Sequence, residues 1–180
     1  MNDEDQILVK EFQGGNQSAF NQLILKHQRR IFNLTYKMVR NIEEAKDLTQ
    51  EIFVKAYHGL NNFKGESSFS TWLYQIAVNS AINFSTGKRW KNVVSIFEVK
   101  EPEAVWGNPL QEIRRDEVNL AIDNAVLSLP AQQRSVFILR YYEELPYQDI
   151  AQLTGRTEGA LKANYFQAVK KLQKKLSHLR

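Results

Sequence analysis

The residues best suited to chemistry in this 180-residue chain lie toward its C-terminus. The stretch from Leu145 to Leu161 has the layout of a helix-turn-helix. Ile150, Ala151 and Leu153 face inward on a short helix, Gly155 supplies a left-handed turn at the least steric cost, and Thr157 caps a second helix. At about 100° per residue Leu161, Tyr165, Ala168, Leu172 and Leu176 form the inward stripe of that second helix. Its opposite side carries Lys162, Ala163, Phe166, Gln167 and Lys170, with Asn164 alongside. Lysines neutralise phosphates, amides and small apolar groups reach base edges, and a helix N-terminus offers backbone N–H groups to a phosphate. Net charge supports this reading once it is located. The chain is +4 overall, yet its last 24 residues hold six bases against the single acid Glu158, while the other 156 hold 18 bases and 19 acids. A two-helix hairpin with a lysine-rich solvated face would share the turn. The concentration of the basic excess on one helix favours a polyanion.

Two weaker constellations lie upstream. Asp47, Gln50, Glu51 and Val54 stand at i, i+3, i+4 and i+7 of one helix, away from its apolar stripe. Such a stripe is either a protein-docking face or simply solvated. Gln75, Asn79 and Asn83 recur every fourth residue on the next helix, which leads into Lys88, Arg89 and Lys91, a pattern that suits base edges and phosphates or an uncommitted polar face. A further acid-free run, Lys26, Arg29, Arg30, Lys37 and Arg40, is followed by Glu43, Glu44, Asp47 and Glu51, and neighbouring elements of opposite sign suggest two different partners.

Other classes of chemistry find little to work with. There is no cysteine, and the three histidines, His27, His58 and His178, are dispersed, so neither a disulfide framework nor a metal centre is expected. No phosphate-binding glycine loop and no nucleophile paired with a base is visible, so no cofactor, no metal and no catalytic residue is expected. The longest apolar run is Val136 to Leu139, far short of the ~20 residues that cross a bilayer. Met1 opens onto acids rather than a basic and apolar leader. No membrane insertion and a cytoplasmic location are expected.

Helices must position these residues. Phe20, Leu23, Ile24, Ile31, Leu34 and Met38 repeat at helical spacing; so do Ala45, Leu48, Ile52, Ala56 and Leu60, with Phe53 and Tyr57 beside them; and so do Trp72, Leu73, Ile76, Ala77, Ser80, Ala81 and Phe84. Three amphipathic helices are thus predicted in the first half. Gly14-Gly15-Asn16, Asn41 and the run Asn61 to Ser68 separate them, with Ser70 as the expected cap of the third. From about Gly87 to Leu110 the periodicity fails, and Pro102, Gly107 and Pro109 mark a linker whose Trp90, Phe97 and Trp106 are expected to dock in part. Val118, Ile122, Ala125, Val126 and Leu129 then resume a helical face, and Pro130 opens the next helix. The fold class is all-α: two small helical domains, 1–90 and 113–180, joined by a flexible linker at 91–112.

Asp47-Leu48-Thr49-Gln50-Glu51-Ile52-Phe53, Thr71-Trp72-Leu73-Tyr74-Gln75-Ile76-Ala77-Val78-Asn79 and the helix-turn-helix from Pro146 to Leu172 resemble, in order and spacing, three signatures of the extracytoplasmic-function (ECF) sigma factors of bacterial RNA polymerase. The resemblance covers nearly the whole chain. It implies a promoter-specificity subunit rather than an enzyme, with core RNA polymerase and promoter DNA as partners and an anti-sigma factor as inhibitor. By the resemblance, Asp47, Gln50, Glu51 and Phe53 dock on the clamp of the largest polymerase subunit, and the C-terminal domain meets the flap of the second largest. Asn62, Phe63, Lys64, Ser67 and Ser68 belong to a loop that captures a base flipped out of the −10 element, where Asn79, Lys88 and Arg89 also contact DNA. Thr157, Lys162, Ala163, Asn164, Phe166, Gln167 and Lys170 would read the −35 element. The chain departs from the commoner family text at Ala160-Leu161-Lys162-Ala163-Asn164, where a hydroxyl and an arginine are replaced, and at Gln75 and Asn83, where arginine and aspartate are frequent. A helix-turn-helix regulator that works without polymerase is the alternative, and it should bind its operator alone and as a dimer.

Overall fold

The computed structural model describes residues 3–87 and 117–177, all helices and turns with no strand among them. The linker at 91–112, its aromatic residues, and Lys88 and Arg89 lie outside the described residues.

The described residues of the first half hold four helices: α1 (Asp3–Gln13), α2 (Ser18–Val39), α3 (Ile42–Leu60) and α4 (Phe69–Ser85). The first was not expected. Its buried residues Asp5, Val9 and Phe12 keep helical spacing. Phe12 lies 5.5 Å from the Phe20 ring and 5.2 Å from the Tyr57 ring, and this aromatic cluster ties α1 to α2 and α3. Arg40 ends α2 in the left-handed region at φ 56, a position that strains a residue with a Cβ by about 1–3 kcal/mol. It is held there by its own N–H, which donates to Tyr36 O at 2.8 Å, and by a forked ion pair to Asp123 at 2.7 Å.

Side-chain caps set the next two starts. Asn41 accepts from Glu44 N at the head of α3, and Ser68 accepts from Thr71 N at the head of α4. The cap of α4 is therefore Ser68 rather than Ser70, which sits inside the first turn with its hydroxyl 2.9 Å from that of Ser68. Between α3 and α4, Trp72 lies so close to Gly59 that an added Cβ would sit 3.0 Å from its ring. Leu23, Ile31, Leu34, Ile52, Leu60, Phe69 and Leu73 fill the interior. Two buried hydroxyls among them are satisfied: Thr35 donates to Phe32 O and Thr49 to Ala45 O, with the two oxygens 3.0 Å apart.

The second half holds α5 (Glu117–Leu127), α6 (Ala131–Phe137), a π-helical turn (Ile138–Tyr142), α7 (Tyr147–Thr154) and α8 (Glu158–Lys175). The π turn widens the chain path just before the helix-turn-helix, with Glu143 N donating to Ile138 O. Glu144 follows at φ 54, and Arg140 Nη1 clamps the bend by donating to Leu145 O at 3.1 Å. Gly155 takes the left-handed position at φ 67 and separates α7 from α8, whose cap is Thr157.

The two halves touch. Helix α4 packs on α6 and α7, and the hydrophobic core is continuous across both halves. Lys37 pairs with Glu143 at 2.6 Å and Arg40 with Asp123, so the C-terminal end of α2 is bound to the second half by charge. Burial, with the Glu143 carboxylate beside it, pushes the Tyr74 phenol up, and the ring remains a neutral hydroxyl at this contact.

Candidate polymerase and nucleic-acid interfaces

Helix α3 is wedged among α1, α2 and α4, so its buried arc is wide. It runs from Leu48 round to Phe53, about 140° at ~100° per residue. Asp47 and Gln50 stand on the opposite, exposed side, and Glu51 is half-buried. Phe53 is only 6% exposed and faces the interior, so it supports the face from behind and cannot stand on it. Ala45 and Ala56 lie near the middle of that arc and Phe53 at its edge, which is why a narrower stripe left Phe53 outside. Glu51 is tied down by Lys55 at 2.6 Å, and Lys55 also donates to Ser80 Oγ of α4 at 3.0 Å. The acidic face thus sits on a braced pair of helices.

The loop 61–68 leaves α3 and turns at Gly65, whose φ of +73 suits glycine. Asn62, Lys64 and Ser67 are exposed. Phe63 is half-buried with its ring 5.1 Å from that of Trp72, and the Ser68 hydroxyl is committed to capping α4. A cavity of about 210 Å³ opens beside the loop, with Phe63, Lys64, Gly65 and Ser67 on one wall and Gln6, Lys10 and Gln13 of α1 on the other. The α1 residues escaped the sequence reading because that helix itself did. The signal available was the spacing of Val9 and Phe12 ahead of Gly14-Gly15.

On α4, Gln75, Asn79 and Asn83 are all exposed and share one face, so the every-fourth-residue pattern is a real surface stripe. The basic run on α2 is spent differently. Lys26 pairs with Glu4 at 2.9 Å and Asp5 at 2.8 Å, Arg30 lies 4.9 Å from the Tyr74 ring centroid, and Lys37 and Arg40 bridge to the second half. Lys26, Lys37 and Arg40 thus hold the molecule together rather than forming an open polyanion patch.

Helix α8 turns Leu161, Ala168 and Leu172 inward and exposes Lys162, Ala163, Phe166, Gln167 and Lys170. Phe166 is 64% exposed, a large apolar ring in the middle of a polar face. Thr157 Oγ1 accepts from Ala160 N at 3.3 Å, and Asn164 Nδ2 donates back to Ala160 O at 2.9 Å, so both side chains are partly engaged by their own helix. Lys162 pairs with Glu158 at 3.1 Å and lies 5.6 Å from the Tyr147 ring, whose centroid is also 5.5 Å from the Arg140 guanidinium. This face can offer cations to phosphates, an amide to a base edge and an aromatic ring to a thymine methyl. Among the described residues no His, Asp or Glu group could hold a metal ion, and no helix is long and apolar enough to cross a membrane.

Comparison with known proteins matches both halves. Residues 23–91 fit the family described as Sigma-70 region 2, and residues 119–172 fit Sigma-70, region 4. The RNA polymerase sigma-H factor of Pseudomonas aeruginosa is 34% identical across 98% of this chain and 96% of its own length. The ECF RNA polymerase sigma-E factor of Escherichia coli is 33% identical across 97% of this chain and 95% of its own. Among solved structures, CnrH in complex with the cytosolic domain of CnrY aligns over 97% of this chain and 98% of its own, with a TM-score of 0.65 and 22% identity. The sigma factor RpoE of Bartonella quintana, in complex with the anti-sigma factor NepR, covers 89% and 98% with a TM-score of 0.59 and 22% identity. These two structures carry the fold.

Proposed function

The chain belongs to the sigma-70 family, among its ECF sigma factors, and from that premise we propose how its surfaces are divided between polymerase and promoter. Residues 1–90 form the unit that binds core polymerase and opens the −10 element, 91–112 the linker, and 113–180 the unit that reads the −35 element. Asp47, Gln50 and Glu51 dock on the clamp of the largest subunit, and the C-terminal unit meets the flap of the second largest. The loop 62–68 receives a flipped −10 base against Phe63, Lys64 and Ser67, with Asn79 beside it and Lys88 and Arg89 on the phosphates. Unstacking a base costs a few kcal/mol, which stacking and hydrogen bonds in the pocket must return. Helix α8 enters the major groove with Lys162, Ala163, Phe166, Gln167 and Lys170, and Thr157 and Asn164 flank its N-terminal turn. The chain is no catalyst itself, since nucleotide addition belongs to the polymerase. It works in the cytoplasm and is held inactive by an anti-sigma factor.

The observation that carries this reading is the division of α8 into a core-facing stripe and an exposed face of cations, an amide and an aromatic ring. Footprinting tests it against the regulator that needs no polymerase. Protection of two separated upstream elements should arise only when core polymerase is added. Protection of a palindromic site by the chain alone, as a dimer, would overturn the reading.

A further inference from the structure

The cavity beside the loop has an unexpected brace. Gln13, at the last position of α1, sends Nε2 to two carbonyls at once: Leu60 O and Phe63 O, both at 3.0 Å. A primary amide carries two N–H donors, and here one goes to each oxygen. Leu60 is the last residue of α3, whose terminal carbonyls have no partner within the helix. Phe63 belongs to the loop itself. One side chain therefore joins the end of α3 to the loop from a helix 47 residues upstream of Leu60 and 50 upstream of Phe63.

The platform behind Gln13 is rigid. Phe12 is buried between Phe20 and Tyr57, and the other end of α1 is pinned by Asp5, which meets Lys26 at 2.8 Å and His27 at 3.0 Å. The far side of the loop is fixed too, by Phe63 on Trp72 and by the Ser68 cap. Between those anchors Lys64, Gly65 and Ser67 form the wall of the cavity. The gap between that wall and α1 is set where the two are joined, at Gln13.

We propose that Gln13 is a positioning residue for base selection: through the Phe63 carbonyl it fixes the width of the pocket between α1 and the 61–68 loop, and so which base the loop accepts from the opened strand. This rests on the reading of the loop as base-capturing. Gln13 is itself exposed and alanine is a good helix former, so Gln13→Ala removes the brace without emptying the core. Gln13→Glu keeps the length of the side chain but sets an acceptor against two carbonyls.

The test uses the full chain with core polymerase, on a promoter set in which each −10 base is varied in turn, and reads initiation from each. Gln13→Ala should lower discrimination at one −10 position by about five- to tenfold, the loss of two positioning hydrogen bonds, and Gln13→Glu should lower it further. Discrimination at the −35 positions should not change. An equal drop on every promoter would make Gln13 merely structural and overturn the proposal. Ser67→Ala and Lys64→Ala serve as the loop's own control. If they shift base preference while both Gln13 variants do not, the brace is wrong and the loop reading stands. If they leave preference unchanged at every −10 position, the loop reading and the brace both fall.

Discussion

Lys162 is aimed before any DNA arrives. Its ammonium lies against the Glu158 carboxylate at 3.1 Å and over the Tyr147 ring at 5.6 Å, and both partners belong to the helix-turn-helix. The Glu158 pair is exposed at both ends, a kind that contributes ~0–1 kcal/mol, so a phosphate or base edge exchanges for it at little cost. Lys162→Ala should weaken binding of the polymerase-bound chain to the upstream element by about 1–3 kcal/mol where the lysine reaches a base, or lower the log–log salt slope by about one where it reaches a phosphate. A salt titration separates these outcomes, and an unchanged affinity with an unchanged slope would remove Lys162 from the interface. At the same scale, Phe166 and Phe53 are instructive opposites. Phe166 stood in the polar stripe of α8 and is indeed 64% exposed, whereas Phe53, placed on the docking face by the family resemblance but standing beside the apolar stripe of α3, is buried. The width of the buried arc decides such cases, and it grows with the number of helices packed around the element.

Among elements, α1 is held to α2 by a small charged cluster. His27 Nε2 lies 3.0 Å from Asp5 Oδ2, and the imidazole ring sits 5.4 Å from Phe69. Burial lowers the His27 pKa below its usual 6.5, with Lys26 and Arg30 acting in the same sense and Asp5 opposing. The folded chain therefore prefers the neutral ring. Below about pH 6.5 the unfolded chain takes up a proton that the folded one resists, so the His27 contribution is full above that pH and is lost as pH falls through the folded value. Denaturant midpoints should fall on going from about pH 7 to about pH 5, and His27→Gln should make that fall shallower. An identical fall in both proteins would show that His27 takes no part.

How far elements could be read from sequence varied with what sets them. α2, α3 and α4 follow from long apolar periodicity, and the turn at Gly155 with its Thr157 cap follows from local chemistry. α1 is short, and part of its inward stripe is Asp5, a buried carboxylate that apolar counting overlooks. The cap of α4 moved from Ser70 to Ser68 because three hydroxyls compete within one turn. The π turn at Ile138–Tyr142 lies beside a long-range contact, Phe137 stacked on Tyr165 at 6.0 Å, and no local pattern announces it.

Across the whole molecule, charge is divided by use. Lys26, Lys37 and Arg40 of the α2 run are committed to ion pairs that pin α1 and join the two halves, the acidic residues Asp47 and Glu51 lie on a braced face of α3, and the basic excess of the chain falls in its last 24 residues. Sequence showed the asymmetry of charge. It could not show that Lys37 and Arg40 are spent internally, because Glu143 and Asp123 are distant in the chain and reach α2 only through the fold. Among the described residues the acidic face of α3 and the cationic face of α8 both point outward, as a subunit placed between polymerase and promoter requires. The direct measurement is run-off transcription from a randomised promoter library, with core polymerase alone and with the chain added, followed by sequencing of the starts. The chain should create starts downstream of paired −10 and −35 elements that core polymerase alone does not use. Starts unchanged by its addition would contradict this.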